Sequence, residues 1–241
     1  MSKLYSELAD IYHEMYQQIF NYKKEFKFYH NLLKINNCKS ILEIGCGSGN
    51  LASYFLGKKY KYLGCDISKK MISIAKKVEP NADFITADMR NLKLKKKFDS
   101  IVVTGRSFTY LTTNEDVINT LNSFNSILKK DGILIFDNFN ATEMISISKK
   151  TLPIQMVRTA NLVIKRKSKK TLNLETGWTE NWDAEYVVKE RGKGKTKIIK
   201  DSSVLRSFTK DEISIFLKLC KFEELVNRKR GFSIITIAKK L

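Results

Sequence analysis

Residues 41–50 read ILEIGCGSGN, an apolar stretch running into a turn with glycine at every second position (Gly45, Gly47, Gly49). Glycine at such spacing lets a ligand approach the backbone closely and frees amide groups to meet it. Two further acids stand where chemistry would need them. Asp66 closes the next apolar stretch, YKYLGCD, and Asp88 closes the one after, ADFITAD. An acid ending the second strand can accept both hydroxyls of a ribose. Nicotinamide dinucleotides, nucleoside triphosphates and S-adenosylmethionine all use glycine-rich turns after a first strand. The dinucleotide fingerprint requires a third glycine where Asn50 stands, and no Gly-Lys-Ser/Thr follows for a triphosphate loop. Glu43 precedes the glycines; a carboxylate there disfavours a phosphate and suits a ligand that carries an amino group.

Elements that hold these residues can be read from the hydrophobic period. Leu4, Leu8, Ile11, Tyr12, Met15 and Ile19 recur at helical spacing over 2–19, and a second helix is expected over 22–35. Strands and helices then alternate. SILEI is a strand and NLASYFLG starts a helix. YKYLGCD is a strand, and SKKMISIAKKV a helix capped by Ser68. ADFITAD and FDSIVVTG are strands, NEDVINTLNSFNSILK is a helix with Asn114 as its cap, and DGILIFDNF is the fifth strand. This order predicts an α/β fold with a parallel sheet and helices on both faces. Ligands on such sheets bind beyond the carboxyl ends of the strands, where Gly45, Asp66, Asp88 and Thr104 fall. From residue 154 to 206 the period changes to two, predicting antiparallel strands. TKDEISIFLKLCKF then reads as a helix, and EELVNRK and GFSIITIAKK as closing strands.

The combination E-I-G-C-G-S-G with Asp66 and Asp88 resembles class I S-adenosylmethionine-dependent methyltransferases. The N-terminal YSELADIYHEMY, the stretch SFTYLTTNEDVINTLNSFNSILKKDGILIFDNF and the closing RGFSIITI resemble small-molecule N-methyltransferases, above all sugar N,N-dimethyltransferases, with glycine and sarcosine methyltransferases as near relatives. The resemblance implies a Rossmann-like seven-stranded sheet whose last strand is antiparallel, with an antiparallel β insertion after strand 5. It implies S-adenosylmethionine as cofactor, held by Tyr5, Glu43, Gly45, Cys46, Gly47, Asp66, Ile67, Met71, Asp88, Met89 and Thr104. Within that set Glu43, Gly45 and Gly47 would face the methionine part. Asp66 would hold the ribose, and Asp88, Met89 and Ile67 the adenine. Tyr5 and Tyr110 would be catalytic, and Arg106, Tyr110 and Arg230 would meet the acceptor. Arg106 replaces a small residue of the pattern, and Asp137-Asn138-Phe139-Asn140 replaces an acidic-Pro-aromatic stretch.

Composition bounds these readings. The chain has 241 residues, 43% of them hydrophobic, which suits one methyltransferase domain over 1–241 with a β-rich insertion at 151–206 acting as lid or dimer surface. No apolar run nears the roughly 20 residues of a membrane helix, and a cytoplasmic monomer or homodimer is expected. The four cysteines (Cys38, Cys46, Cys65, Cys220) are scattered, which predicts core thiols and no metal site. A formal net charge of +19 admits a nucleic-acid partner, with the densest clusters at KRKSKK (165–170) and KERGKGKTKIIK (189–200). Other lysine pairs, Lys149-Lys150 among them, are dispersed, which favours a solvated surface. The scarcity of histidine favours an amine acceptor over a hydroxyl, because a hydroxyl needs a positioned base. His13 is expected on a helix surface, and Trp178 and Trp182 as strand-packing residues or caps of an acceptor pocket. The alternatives are an RNA or protein methyltransferase that uses the basic insertion, and a non-catalytic cofactor-binding module.

Overall fold

The computed structural model describes residues 3–148, 152–192 and 196–241. Lys149-Lys150, the first residue of the 151–206 insertion, and residues 193–195 of the second basic cluster lie outside them.

Strand β1 (Ser40–Ile44) is buried along its whole length, as an interior strand of a parallel sheet must be when helices cover both faces. It pairs in parallel with β2 (Lys61–Asp66) on one side and β4 (Phe98–Val103) on the other. Beyond these lie β3 (Asp83–Thr86) at one edge and β5 (Leu128–Phe139), β11 (Ser233–Lys240) and β10 (Phe222–Arg230) towards the other. The last strand in sequence, β11, runs antiparallel to both of its neighbours, β5 and β10. The sheet thus has seven strands in the order β10-β11-β5-β4-β1-β2-β3.

Two cores flank it. On one face Val117, Leu121 and Phe124 of α5 (Asn114–Ile127) and Ile213, Phe216 and Leu217 of the helix Lys210–Leu219 pack on Leu42, Ile101 and Leu134. On the other face Phe26, Tyr29 and Leu33 of α2 (Tyr22–Ile35), Phe55 of α3 (Ala52–Leu56), and Ile72 and Ala75 of α4 (Lys69–Val78) pack on Ile41, Val102 and Ile135. Cys38, Cys46, Cys65 and Cys220 are all buried and free.

The insertion forms its own antiparallel sheet of β6 (Gln155–Arg158), β7 (Leu162–Leu172), β8 (Thr179–Glu190) and β9 (Thr196–Arg206). Its inner face packs Val157, Ile164, Tyr186, Val188 and Ile199 against Leu4, Leu8 and Met15 of the N-terminal segment. Period-two alternation divides KRKSKK between the faces. Lys165, Lys167 and Lys169 are exposed, whereas Arg166, Ser168 and Lys170 are buried, with Lys170 2.5 Å from Glu180. Two of the five charges in the densest basic run are therefore buried, which weakens the polyanion reading drawn from charge alone.

Three local expectations are corrected. The helix expected over 2–19 is broken: Lys3–Tyr5 form a 3-10 turn and α1 starts at Ala9 (Ala9–Ile19). The Tyr5 carbonyl, which a continuous helix would give to Ala9, instead accepts from the Ser68 hydroxyl at 2.5 Å. Helix α5 is capped by Thr113, whose hydroxyl accepts from Asp116 N at 3.0 Å, and Asn114 is its first helical residue. The helix after the glycine turn lasts five residues and ends before Lys59, which adopts a left-handed backbone. Among the described residues no helix is long and apolar enough to cross a membrane.

Candidate functional site

The glycine turn is fastened at three points. Gly45 N and Cys46 N donate to the Cys65 carbonyl at 2.8 and 3.1 Å, fixing the turn to the end of β2. Gly45 and Gly47 sit at φ +70° and +54°, where a side chain is strained. A Cβ on Gly45 would also lie 1.9 Å from Ser107 Oγ. Gly47 N donates to the Asp66 carboxylate at 2.9 Å, and Ser68 N donates to the same carboxylate at 2.8 Å. Burial pushes the Asp66 carboxyl above its ordinary value, and these amide donors oppose the shift.

Beside the turn lies a crevice of about 320 Å³. Its walls include Asp66, Ile67, Ala87, Asp88 and Met89 on one side and Tyr5, Tyr12, Gly105, Tyr110 and Leu111 on the other. Asp88 is held by Arg90, whose guanidinium lies 2.6 Å from one carboxylate oxygen and also reaches Asp116 at 3.1 Å. The Arg90 hydrogen bonds hold the Asp88 carboxyl below its usual range.

A second, smaller chamber of about 130 Å³ adjoins it and shares Tyr5, Tyr12, Gly45, Gly47, Gly105 and Tyr110 with the crevice. Glu43, Cys46 and Thr104, expected at the cofactor, line this chamber rather than the crevice. Glu43 is not a free carboxylate: Tyr62 and Thr104 donate hydroxyls to it at 2.6 and 2.8 Å. Burial raises its pKa to about 7, against the pull of those two hydroxyls. The folded value exceeds the unfolded one, so ionisation of Glu43 works against the fold. Stability should fall as pH rises from about 4.5 towards about 7, and Glu43→Gln should flatten that slope. Urea unfolding at several pH values checks this; an unchanged slope in the variant would rule Glu43 out as its source.

Tyr5 and Tyr110, 105 residues apart in sequence, meet: their hydroxyls are 2.9 Å apart and their rings stand edge to face at 5.9 Å. Burial pushes both phenols well up, so both carry their protons near neutrality. Arg106 lines the chamber, with Nε donating to Ser233 Oγ at 2.9 Å and lying 3.7 Å from Asp137. Burial raises the Asp137 carboxyl to about 6. Arg230 does not line either cavity. It stacks 3.7 Å above the Phe28 ring and pairs with Glu25 at 3.1 Å, and Glu25 is the residue that reaches the chamber. Met71 likewise lies outside both cavities, fully buried beneath the turn beside Gly47. His13 is half-buried and bonds Ser48 of the turn through Nδ1 at 2.9 Å, so it pins α1 to the turn instead of standing on a free surface. Trp182 lines the chamber; Trp178 does not.

Several chamber residues escaped the sequence reading: Tyr16, Phe20, Tyr22 and Glu25 from the N-terminal helices, and Leu205 from β9. Tyr12 and Tyr16, four residues apart and stacked at 4.1 Å, left a signal in their spacing, but it is the same signal that core aromatics give.

This sheet order, with β11 antiparallel between β5 and β10 and the glycine turn after β1, is that of the class I methyltransferase fold. Residues 41–132 match the family described as methyltransferase domain, and the relatives include small-molecule N-methyltransferases. One is the dTDP-3-amino-3,4,6-trideoxy-alpha-D-glucopyranose N,N-dimethyltransferase of Streptomyces venezuelae, 30% identical over 98 residues, 41% of this chain and 41% of that protein. Another is the putative methyltransferase YqeM of Bacillus subtilis (strain 168), 35% identical over 101 residues, 40% of this chain and 41% of that protein. The chain thus matches about two fifths of the length of these curated relatives. The crystal structure of Streptomyces venezuelae DesVI superposes with a TM-score of 0.84 at 20% identity, covering 97% of this chain and 98% of that one.

Proposed function

We propose that the protein transfers a methyl group from S-adenosylmethionine to a small molecule bearing an amine. The observation that carries this reading is the Tyr5–Tyr110 hydroxyl pair standing in the common wall of the crevice and the chamber. A donor in one cavity and an acceptor in the other would meet there.

The crevice suits the donor. Asp66 offers a carboxylate to a ribose diol, Ile67 and Met89 offer apolar surface to a purine, and Gly105 opens the wall, since a Cβ there would meet nothing within 4 Å. Bound S-adenosylmethionine supplies a methyl group already activated by its sulfonium. The chain's own task is then alignment and exclusion of water. The aromatic walls of the chamber exclude water, and the paired phenols, protonated, present acceptor lone pairs to an amine N–H. Neither histidine lines the crevice or the chamber, so a hydroxyl acceptor would find no imidazole base there.

The Tyr110→Phe variant tests the assignment. It should lower kcat about tenfold, the range of a lost orienting hydrogen bond, and leave the Kd for S-adenosylhomocysteine within about twofold. Collapse of cofactor affinity instead would show that Tyr110 serves the crevice and not the acceptor. A screen with methyl-labelled cofactor against small amines, nucleotide sugars and total RNA, at low and high salt, reads the acceptor class directly.

A further inference from the structure

Arg166 stands out from the other cations near the chamber. Its side chain lies on the inner face of β7 and the residue is 8% exposed. The other cations have acids: Arg106 has Asp137, Arg230 has Glu25, and Lys170 has Glu180. Arg166 has none among the described residues. Its guanidinium donates to the Tyr16 hydroxyl at 3.3 Å and to Gln155 Oε1, and it lies over the rings of Tyr16 and Trp182 at 6.0 and 5.8 Å. A guanidinium this buried is costly unless an anion compensates it.

It also borders a cavity. A recess of about 40 Å³ is lined by Arg166, Tyr5, Tyr16, Tyr110, Trp182, Asp201 and Ser203, with Leu4, Ala184 and Tyr186 closing it. Four of these residues, Tyr5, Tyr16, Tyr110 and Trp182, also line the chamber, so the recess continues it past the hydroxyl pair. Asp201 is the one acid in the recess, and its Oδ1 accepts from Lys3 N at 2.7 Å. At roughly 30 Å³ per water, the recess holds a group the size of a carboxylate, and the chamber of about 130 Å³ holds a body of a few heavy atoms. Drug-sized ligands take cavities of about 300–1,000 Å³, which a nucleotide-linked sugar would also need.

We propose that Arg166 anchors the carboxylate of a compact amino acid-type acceptor whose nitrogen lies at the Tyr5–Tyr110 pair. This deepens the methyltransferase reading and rests on it. Arg166 matches a carboxylate in planar, two-pronged geometry, which a lysine cannot reproduce. The acceptor class then differs from nucleotide-linked sugars, whose diphosphate would need room and charge that the recess lacks.

Titration calorimetry on the full chain, with S-adenosylhomocysteine present, tests this. The probes are glycine, sarcosine, β-alanine and 4-aminobutyrate, each beside its decarboxylated counterpart (methylamine, dimethylamine, ethylamine, propylamine), and thymidine diphosphate. At least one amino acid should bind about tenfold or more tightly than its counterpart, the range of a lost charge-assisted hydrogen bond. Arg166→Met should erase that difference while leaving the affinity for the plain amine and for S-adenosylhomocysteine within about twofold, and Arg166→Lys should restore part of it. Circular dichroism and thermal melts establish that both variants fold. Equal binding within every pair, tighter binding of thymidine diphosphate, or equal weakening of amine and amino acid in Arg166→Met would overturn the proposal. Failure of the wild-type chain to bind S-adenosylhomocysteine would instead remove the methyltransferase reading beneath it.

Discussion

Asp66→Asn should fold, yet bind S-adenosylhomocysteine about a hundredfold or more weakly than wild type. The carboxylate does two jobs that this substitution separates. Inside the protein it accepts from Gly47 N and Ser68 N and so ties the glycine turn to the start of α4. Towards the crevice it offers the acceptor that the proposed function assigns to a ribose diol. An asparagine keeps one carbonyl oxygen for an amide donor but loses the charge and the second acceptor. Two hydrogen bonds to a charged group are worth about 1.5–3 kcal/mol each, and losing both gives a hundredfold or more.

Stability should move little. Burial raises the folded Asp66 pKa, so stability is lost as pH rises from the ordinary carboxylate range through the folded value, and the ionised group carries that cost at any higher pH. Removing the charge relieves this cost while one amide loses its partner. Calorimetric titration beside a thermal melt reads both quantities. Unchanged cofactor affinity would reduce Asp66 to a staple of the turn.

Phe108→Ala should be the most destabilising single change near the site. Phe108 is fully buried, stacked 4.2 Å from Phe136 of β5 and tilted against Phe208 at 5.5 Å. It thereby joins the end of β5, the 3-10 turn Ser107–Tyr110 that carries Tyr110, and the return from the insertion. Truncating a core phenylalanine costs about 3–5 kcal/mol through lost transfer energy and the cavity left behind. In a chain of this size that lowers Tm by roughly 10 °C. Phe108→Leu should recover most of the loss, and differential scanning calorimetry on both variants decides it. Turnover measured well below Tm should fall in Phe108→Ala as the turn loosens and Tyr110 shifts. A Tm within about 2 °C of wild type would mean that Phe136 and Phe208 close over the gap.

The crevice was legible because its parts are local. A strand, a glycine turn and an acid at the end of the next strand are each written within a few residues. Their placement at neighbouring strand ends follows from β–α alternation. The chamber was not legible in this way. Tyr5, Tyr22, Glu25, Phe139, Trp182 and Leu205 are spread over the chain and converge only in three dimensions. Arg230 looked like an acceptor residue but spends its charge on Glu25, one layer behind the chamber. Met71 looked like a cofactor contact but packs beneath the turn. The N-terminal helix broke at Tyr5 because the Ser68 hydroxyl competes for its carbonyl, a contact spanning 63 residues that no local period encodes.

The sequence by itself determined the order of strands and helices, the glycine turn, and the acids Asp66 and Asp88 at the strand ends, because short-range spacing and backbone sterics govern all of these. Only the tertiary structure decided that Tyr5 meets Tyr110, that Glu43 is quenched by Tyr62 and Thr104, and that KRKSKK turns Arg166 and Lys170 inwards. In a strand, alternate residues face opposite ways, but which set is buried depends on what packs against the sheet. Here the N-terminal segment does so, and it thereby selects which charges of β7 turn inwards.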